Sequence, residues 1–183
     1  MGYGKSRPEM RPSLEVLSTP VVRTINPRQK IAMDSNAGQW ITIGKPASET
    51  RSSTAVLAND GHLLFTVAAN TKYRIRAEIF FDTNGTPDFK WIIAGPAAAT
   101  LYRMRREWIV PGVAAWTAVD VHTSYGAGEA IAGAGSTGGL LSLSGVLHNG
   151  VNPGSFAFQW AQNTSDAAAT TVLAGSYIEY MVV

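Results

Sequence analysis

GSFAFQWAQNTSDAAATTVLAGSYIEYMVV, residues 154–183, is the stretch whose reading decides the fold. Phe156, Phe158 and Trp160 alternate with Ser155, Ala157, Gln159 and Ala161, and Ile178, Tyr180 and Val182 alternate with Tyr177, Glu179 and Met181. Period-two alternation sends successive side chains to opposite faces of a strand, so each run has one face for a core and one for water. Between the runs, Asn163-Thr164-Ser165-Asp166 carries turn chemistry, because short polar side chains bond their own backbone and compete with a continuing ladder. The stretch predicts two strands joined by a polar loop, an aromatic hairpin that closes the core.

Working outward, the same alternation recurs upstream. Tyr73, Ile75, Ala77, Ile79 and Phe81 point one way and Lys72, Arg74, Arg76, Glu78 and Asp82 the other, with Phe80 an exception on the polar face. Asn84-Gly85 is a hairpin signal that leads into Phe89–Ile93. Trp40–Ile43 and Thr54–Leu57 read as further strands, and Asn59-Asp60-Gly61 as a turn into His62–Val67. Trp116–His122 is another strand; a glycine-rich link over 126–139 then leads to Leu141–Leu147, and Asn149-Gly150 turns the chain again. Residues 97–108 are ambiguous: Leu101, Met104 and Trp108 stand near helical spacing, while Tyr102, Met104 and Arg106 permit a strand. Strands on both sides favour the strand. Short strands with turn signals about every 8–12 residues describe a sandwich or barrel. The expected fold is therefore all-β, an antiparallel β-sandwich wound as a jelly roll over residues 30–183. Residues 1–29 precede it as an extended N-terminal arm, broken by Pro8, Pro12, Pro20 and Pro27.

Composition narrows the function classes. A hydrophobic content of 45% with 15% charged residues excludes a disordered chain. No apolar run approaches the ~20 residues of a membrane helix, and no apolar stretch follows the first basic residues, so neither a membrane partner nor a secretory signal is expected. Cysteine is absent, which removes disulfides, thiolate metal sites and cysteine nucleophiles. The charge is unevenly distributed: all 15 Lys and Arg, with 8 of the 13 acids, lie at or before Arg106, and the five acids from Glu107 onward stand without a cation. The basic arm suggests an acidic partner. Without a dense Lys/Arg run interleaved with aromatics, a protein surface is expected and nucleic acid is not.

Motifs that suggest chemistry fail on context, so no catalytic residue, cofactor or metal is expected. Gly2-Tyr3-Gly4-Lys5-Ser6 ends like a phosphate-binding loop but lacks its first glycine, and Pro8 interrupts the helix that should follow. Gly133-Ala134-Gly135-Ser136-Thr137-Gly138 matches GxGxxG, yet a leucine-rich strand follows where a helix N-terminus would be needed to hold a pyrophosphate. It reads as a loop. Asp82, Asn84 and Asp88 lack the remaining ligands of a calcium loop. His62, His122 and His148 have no second histidine at metal spacing, and no serine lies in GxSxG. The chain is not expected to be an enzyme.

The run Phe158–Asp166, with Thr170-Thr171-Val172 and Gly175–Glu179, resembles the closing motif of many tailed-phage and prophage virion proteins. There the pattern W-A-Q-N-T-S-D … T-x-V … G-S-Y-[LI]-E ends a small β domain. Tyr73-Arg74-Ile75-Arg76 and Phe80-Phe81 fit the beginning of such domains, and the resemblance extends over residues 62–183. More distantly the chain is similar to the trimeric jelly rolls of the C1q and tumour-necrosis-factor type. The resemblance implies a virion structural protein, expected to be a homotrimeric capsid decoration or cement protein. Such a protein binds and stabilises the major capsid protein shell; it resides on the capsid surface and assembles in the host cytoplasm. Arg7, Arg11, Arg23 and Arg28 are the expected anchors, with the acidic C-terminal half facing outward. Tyr73, Phe158, Trp160 and Tyr180 are expected in trimer or core packing. The alternative is a tail-tip or fibre-associated receptor- or glycan-binding protein, in which Trp108, Trp116 and Tyr125 would stack on sugars.

Overall fold

The computed structural model describes residues 38–112, 117–132 and 136–183, with the backbone alone at 117–119 and 136–137. The arm with Arg7, Arg11, Arg23 and Arg28, and also Trp116, lie outside the described residues. Among those described there is no helix, and the strands follow in order as β1 (Ile41–Gly44), β2 (Glu49–Arg51), β3 (Ala58–Val67), β4 (Lys72–Thr83), β5 (Phe89–Ala94), β6 (Leu101–Ile109), β7 (Thr117–His122), β8 (Gly128–Ile131), β9 (Ser136–His148), β10 (Gly154–Gln162), β11 (Thr170–Val172) and β12 (Tyr177–Val182). They form two antiparallel sheets. The larger has the order β1-β12-β4-β9-β6-β7, with β11 pairing both β4 and β2; the smaller has the order β3-β10-β5-β8.

The pairings nest. β5 pairs β8 inside the β4–β9 pair, which lies inside β3–β10 and then β1–β12, and successive levels alternate between the sheets. That winding is the jelly roll expected from the strand pattern. It also corrects where the turns lead. Asn84-Gly85, Asn149-Gly150 and Asn163–Asp166 do not close hairpins, because β4 and β5, β9 and β10, and β10 and β12 belong to opposite sheets. Turn residues reverse the chain; they do not choose the strand's partner. Here the aromatic faces choose it, since strands adjacent in sequence bury their apolar sides best against each other across the sandwich.

The core shows this directly. From the larger sheet, Tyr73, Ile75, Ala77, Ile79 and Phe81 all turn inward, as their alternation predicts. From the smaller, Leu63, Phe65, Phe89, Trp91, Phe156, Phe158 and Trp160 meet them. Phe81 stacks on Phe89 at 4.3 Å between ring centroids, and Phe65 on Tyr180 at 4.1 Å, so aromatic pairs join the sheets at two places. Each large side chain buried this way contributes about 1.5–3 kcal/mol.

Three local expectations change. Thr54–Leu57 is not a strand. It is fastened to the smaller sheet through its backbone, with Thr54 N–H donating to Gln162 Oε1 (3.2 Å) and Lys90 Nζ to the Ala55 carbonyl (2.9 Å). Asn59-Asp60-Gly61 lies within β3, where residues 60–63 oppose Phe158 alone in an otherwise regular ladder. The turn chemistry is real, because Asp60 Oδ1 accepts the N–H groups of His62 and Leu63 (3.0 and 3.2 Å), but it produces a bulge. The GxGxxG stretch expected as a loop becomes the start of β9 from Ser136 onward. The ambiguous stretch is strand β6, with Tyr102, Met104, Arg106 and Trp108 turned inward.

Candidate interaction surface

The larger sheet presents a broad outer face whose composition follows from register. Across β4, β9 and β6 the outward residues form rows: Lys72, His148 and Leu101; Arg74, Val146 and Arg103; Arg76, Ser144 and Arg105; Glu78, Ser142 and Glu107. On the β12 side Met181, Glu179 and Tyr177 stand opposite Arg74, Arg76 and Glu78. Arg76 pairs with Glu179 and lies 4.3 Å over the Trp40 ring, and Arg105 pairs with Glu107 at 2.6 Å. The hydroxyl of Thr42 donates to Glu179 (2.8 Å) and, with Arg76, holds that carboxyl below its usual range against a smaller opposing effect of burial. Among the described residues, Lys72 and Arg74 have no partner, and Arg103 donates only to the Tyr102 carbonyl (3.3 Å). The outer face of the smaller sheet differs. It turns Thr66, Ser155, Gln159 and Ala130 outward, with Lys90 as its cation.

Charges that enter the sandwich are paired inside it. Lys45 Nζ contacts both oxygens of Asp60 (2.9 and 2.7 Å), and neither side chain is exposed. Trp160 Nε1 donates to the same carboxylate (3.1 Å), and Arg51 covers the indole ring at 4.1 Å. Burial alone would raise the Glu49 carboxyl, but the Gly61 N–H and the Arg51 and Lys45 cations overrule it and hold it at about 2. At the other end Arg106, inward from β6, pairs with Glu129 and with Asp120 (3.2 Å). His122 stacks on Trp91 beside this group, and burial together with the Arg106 charge pushes its pKa down.

None of these groups surrounds an open cleft with a nucleophile and a base. Asp82 accepts the Gly138 N–H (2.6 Å), and among the described residues no cluster of His, Cys, Asp or Glu has a metal-holding arrangement. No helix among them is long and apolar enough to cross a membrane.

Of the aromatic residues singled out in the sequence, those described belong to the core or pack against it. Tyr73, Phe158 and Trp160 are buried, and Tyr180 packs against that core through Phe65 and Tyr73. In the single chain Tyr73, Phe158 and Trp160 offer no surface, whereas Tyr180 is partly exposed. Trp108 is only 8% exposed and packs under Arg106, so it offers no face to a sugar. Tyr125 is half-buried against Tyr102, with its hydroxyl enclosed and its pKa raised by burial and the neighbouring Tyr73. The acids of the C-terminal half do not form a separate negative face: Glu107, Asp120, Glu129 and Glu179 each pair with an arginine from Arg76, Arg105 or Arg106. Antiparallel pairing sets the basic β4 and β6 beside or across from the strands that carry those acids.

Sequence reasoning missed Lys45, Asp60, Arg106 and Gln162. Gln162, fully buried, accepts the N–H groups of Thr54 and Asp166 and donates to the Ala168 carbonyl, so the polar middle of W-A-Q-N-T-S-D is a knot that holds two loops. Its place after an aromatic strand and before a turn was the available signal.

No family model matches the chain, and no curated protein matches it. Among solved structures, one similar chain comes from "Structure of infectious bursal disease virus Gt strain", at 11% identity and a TM-score of 0.21. The match covers 79% of this chain and 41% of that one, so this chain spans less than half the length of its neighbour. A likeness that low carries neither fold nor function across.

Proposed function

We propose that the protein is a virion structural protein of a tailed phage, a capsid decoration protein that binds the major capsid shell as a homotrimer. Its W-A-Q-N-T-S-D ending resembles that of phage virion domains. The observation that carries the reading is the division of charge. Cations inside the sandwich are matched within the fold, whereas among the described residues Lys72, Arg74 and Arg103 stand unneutralised on a broad sheet face. Such a face suits contact with another protein surface better than turnover of a small substrate. The arm cations Arg7, Arg11, Arg23 and Arg28 add to the same preference for an acidic partner.

The test is cosedimentation with expanded capsids stripped of accessory proteins. The full chain is compared with a full-length variant in which those four arm arginines are glutamine, at low and high salt. Binding that the variant loses and salt weakens supports anchoring through the arm. Absence of binding by the intact chain refutes the decoration role. Sedimentation equilibrium of the free protein decides the trimer.

A further inference from the structure

The register across the larger sheet creates a feature that no single strand contains. β9 runs between β4 and β6, and two of its outward residues each stand between a pair of arginines: Val146 between Arg74 and Arg103, and Ser144 between Arg76 and Arg105. One row further, Ser142 stands between Glu78 and Glu107. Neighbouring strands lie about 4.8 Å apart, so the flanking side chains are rooted about 10 Å from each other over a floor of short residues. Rows repeat about every 7 Å, which is also the spacing of alternate side chains in an extended peptide.

The rows are not electrostatically equal. Arg76 and Arg105 are neutralised by Glu179 and Glu107. Lys72, Arg74 and Arg103 are exposed and hold no carboxylate among the described residues. The groove is thus cationic at the Lys72 end and closed to anions at the Glu78–Glu107 end.

We propose that this groove binds an extended acidic segment of a partner protein. One carboxylate is shared by Arg74 and Arg103, and a second, two residues along, reaches Lys72. Single-stranded nucleic acid offers a similar charge spacing. However, the middle strand presents Ser144, Val146 and, between Lys72 and Leu101, the half-buried His148, so no Phe, Tyr or Trp ring stands between the flanking cations for a base to stack on, and Trp40 at the margin is already covered by Arg76. The inference stands whether or not the partner is a capsid.

The test uses the full chain and a fluorescein-labelled peptide of alternating glutamate and threonine, about ten residues long, followed by anisotropy. The wild type is expected to bind, more weakly as salt rises. Arg74→Gln/Arg103→Gln is expected to bind roughly tenfold more weakly, as two charge-assisted contacts are lost. Each single variant should give an intermediate loss, which guards against a folding defect in the double variant. Lys90→Gln, on the other sheet, should bind as the wild type does. Four results each overturn the proposal: no binding, no loss in the double variant, equal binding of a peptide with its glutamates in one block, or tighter binding of a thymidine oligonucleotide. Capsid cosedimentation is read separately, so failure of the groove and failure of the virion role are distinct.

Discussion

Replacing Asp60 by alanine should remove a large part of the stability of the domain. Its carboxylate has no exposure and accepts from Lys45 Nζ, from the N–H groups of His62 and Leu63, and from Trp160 Nε1. The alanine leaves an ammonium, an indole N–H and two backbone N–H groups without that acceptor in a dry site. Glu49 remains within 3.2 Å of Lys45, which moderates the loss. Breaking a buried pair from one side costs about 3–5 kcal/mol. For a domain of this size each kcal/mol is worth roughly 2–4 °C, so melting should fall by about 6–20 °C. Lys45→Met should cost less, because three N–H donors still satisfy Asp60. Lys45→Met combined with Asp60→Ala should fall short of the summed single losses by about 0.5–3 kcal/mol, the signature of direct coupling. Urea unfolding of the four proteins, with the slope checked for constancy, measures this. A loss under about 1 kcal/mol for Asp60→Ala, or strict additivity, would refute the pairing as a source of stability.

Acid should destabilise the protein in two stages. His122 has its pKa lowered in the fold, so its contribution is present above the unfolded value of 6.5 and declines as pH falls through that value; His122→Gln should flatten this stage in a pH series of urea midpoints. Glu49, held at about 2 against 4.5 unfolded, contributes above 4.5 and is lost as pH falls towards 2, a stage that Glu49→Gln should remove. Gly139→Leu brings a Cβ well inside van der Waals distance of the Phe81 ring and should cost about 1–3 kcal/mol by overpacking, read as a lowered melting temperature with native-like circular dichroism. Gln162→Leu removes three hydrogen bonds at a fully buried position. It should cost about 2–3 kcal/mol, and hydrogen exchange should quicken at Thr54 and Asp166 before it does in the sheets.

What the sequence revealed and what it hid have physical reasons. β4 was legible residue by residue because one wet face and one dry face impose strict alternation, and its inward residues are those that the alternation assigns. β10 was less so: Ala157, Ala161 and Gln162 are buried although they fall outside the aromatic set. A central strand flanked by β3 and β5, with the loop before β3 fastened at Gln162 and Lys90, is covered on both sides, and small residues there leave no periodic mark. The reversals at Asn84-Gly85 and Asn163–Asp166 were located correctly and misread as hairpins, since a reversal is local while the choice of sheet depends on the whole core. Asp60 resembled any turn aspartate. Its burial depends on Lys45 and Trp160, which lie 15 and 100 residues away, and no window along the chain contains all three.

The same logic applies to charge and bears on what the protein contacts. Along the chain, the cations end at Arg106 and the acids beyond it look like a separate negative region. In the fold β12 lies beside β4, and β7 beside β6, so Glu179 meets Arg76 and Asp120 meets Arg106, while Glu129 reaches Arg106 from the opposite sheet. Segregation in sequence is therefore the means by which the jelly roll neutralises itself, since its pairs join early strands to late ones. What such pairing leaves over carries more information than net charge does. Among the cations of the larger sheet's outer face the remainder is Lys72, Arg74 and Arg103, placed together by the register of β4 and β6 on either side of β9. A surface selected only for solubility would scatter its unpaired charges. Three of one sign, aligned on rigid strands at peptide spacing, give a partner both a charge and a register to read.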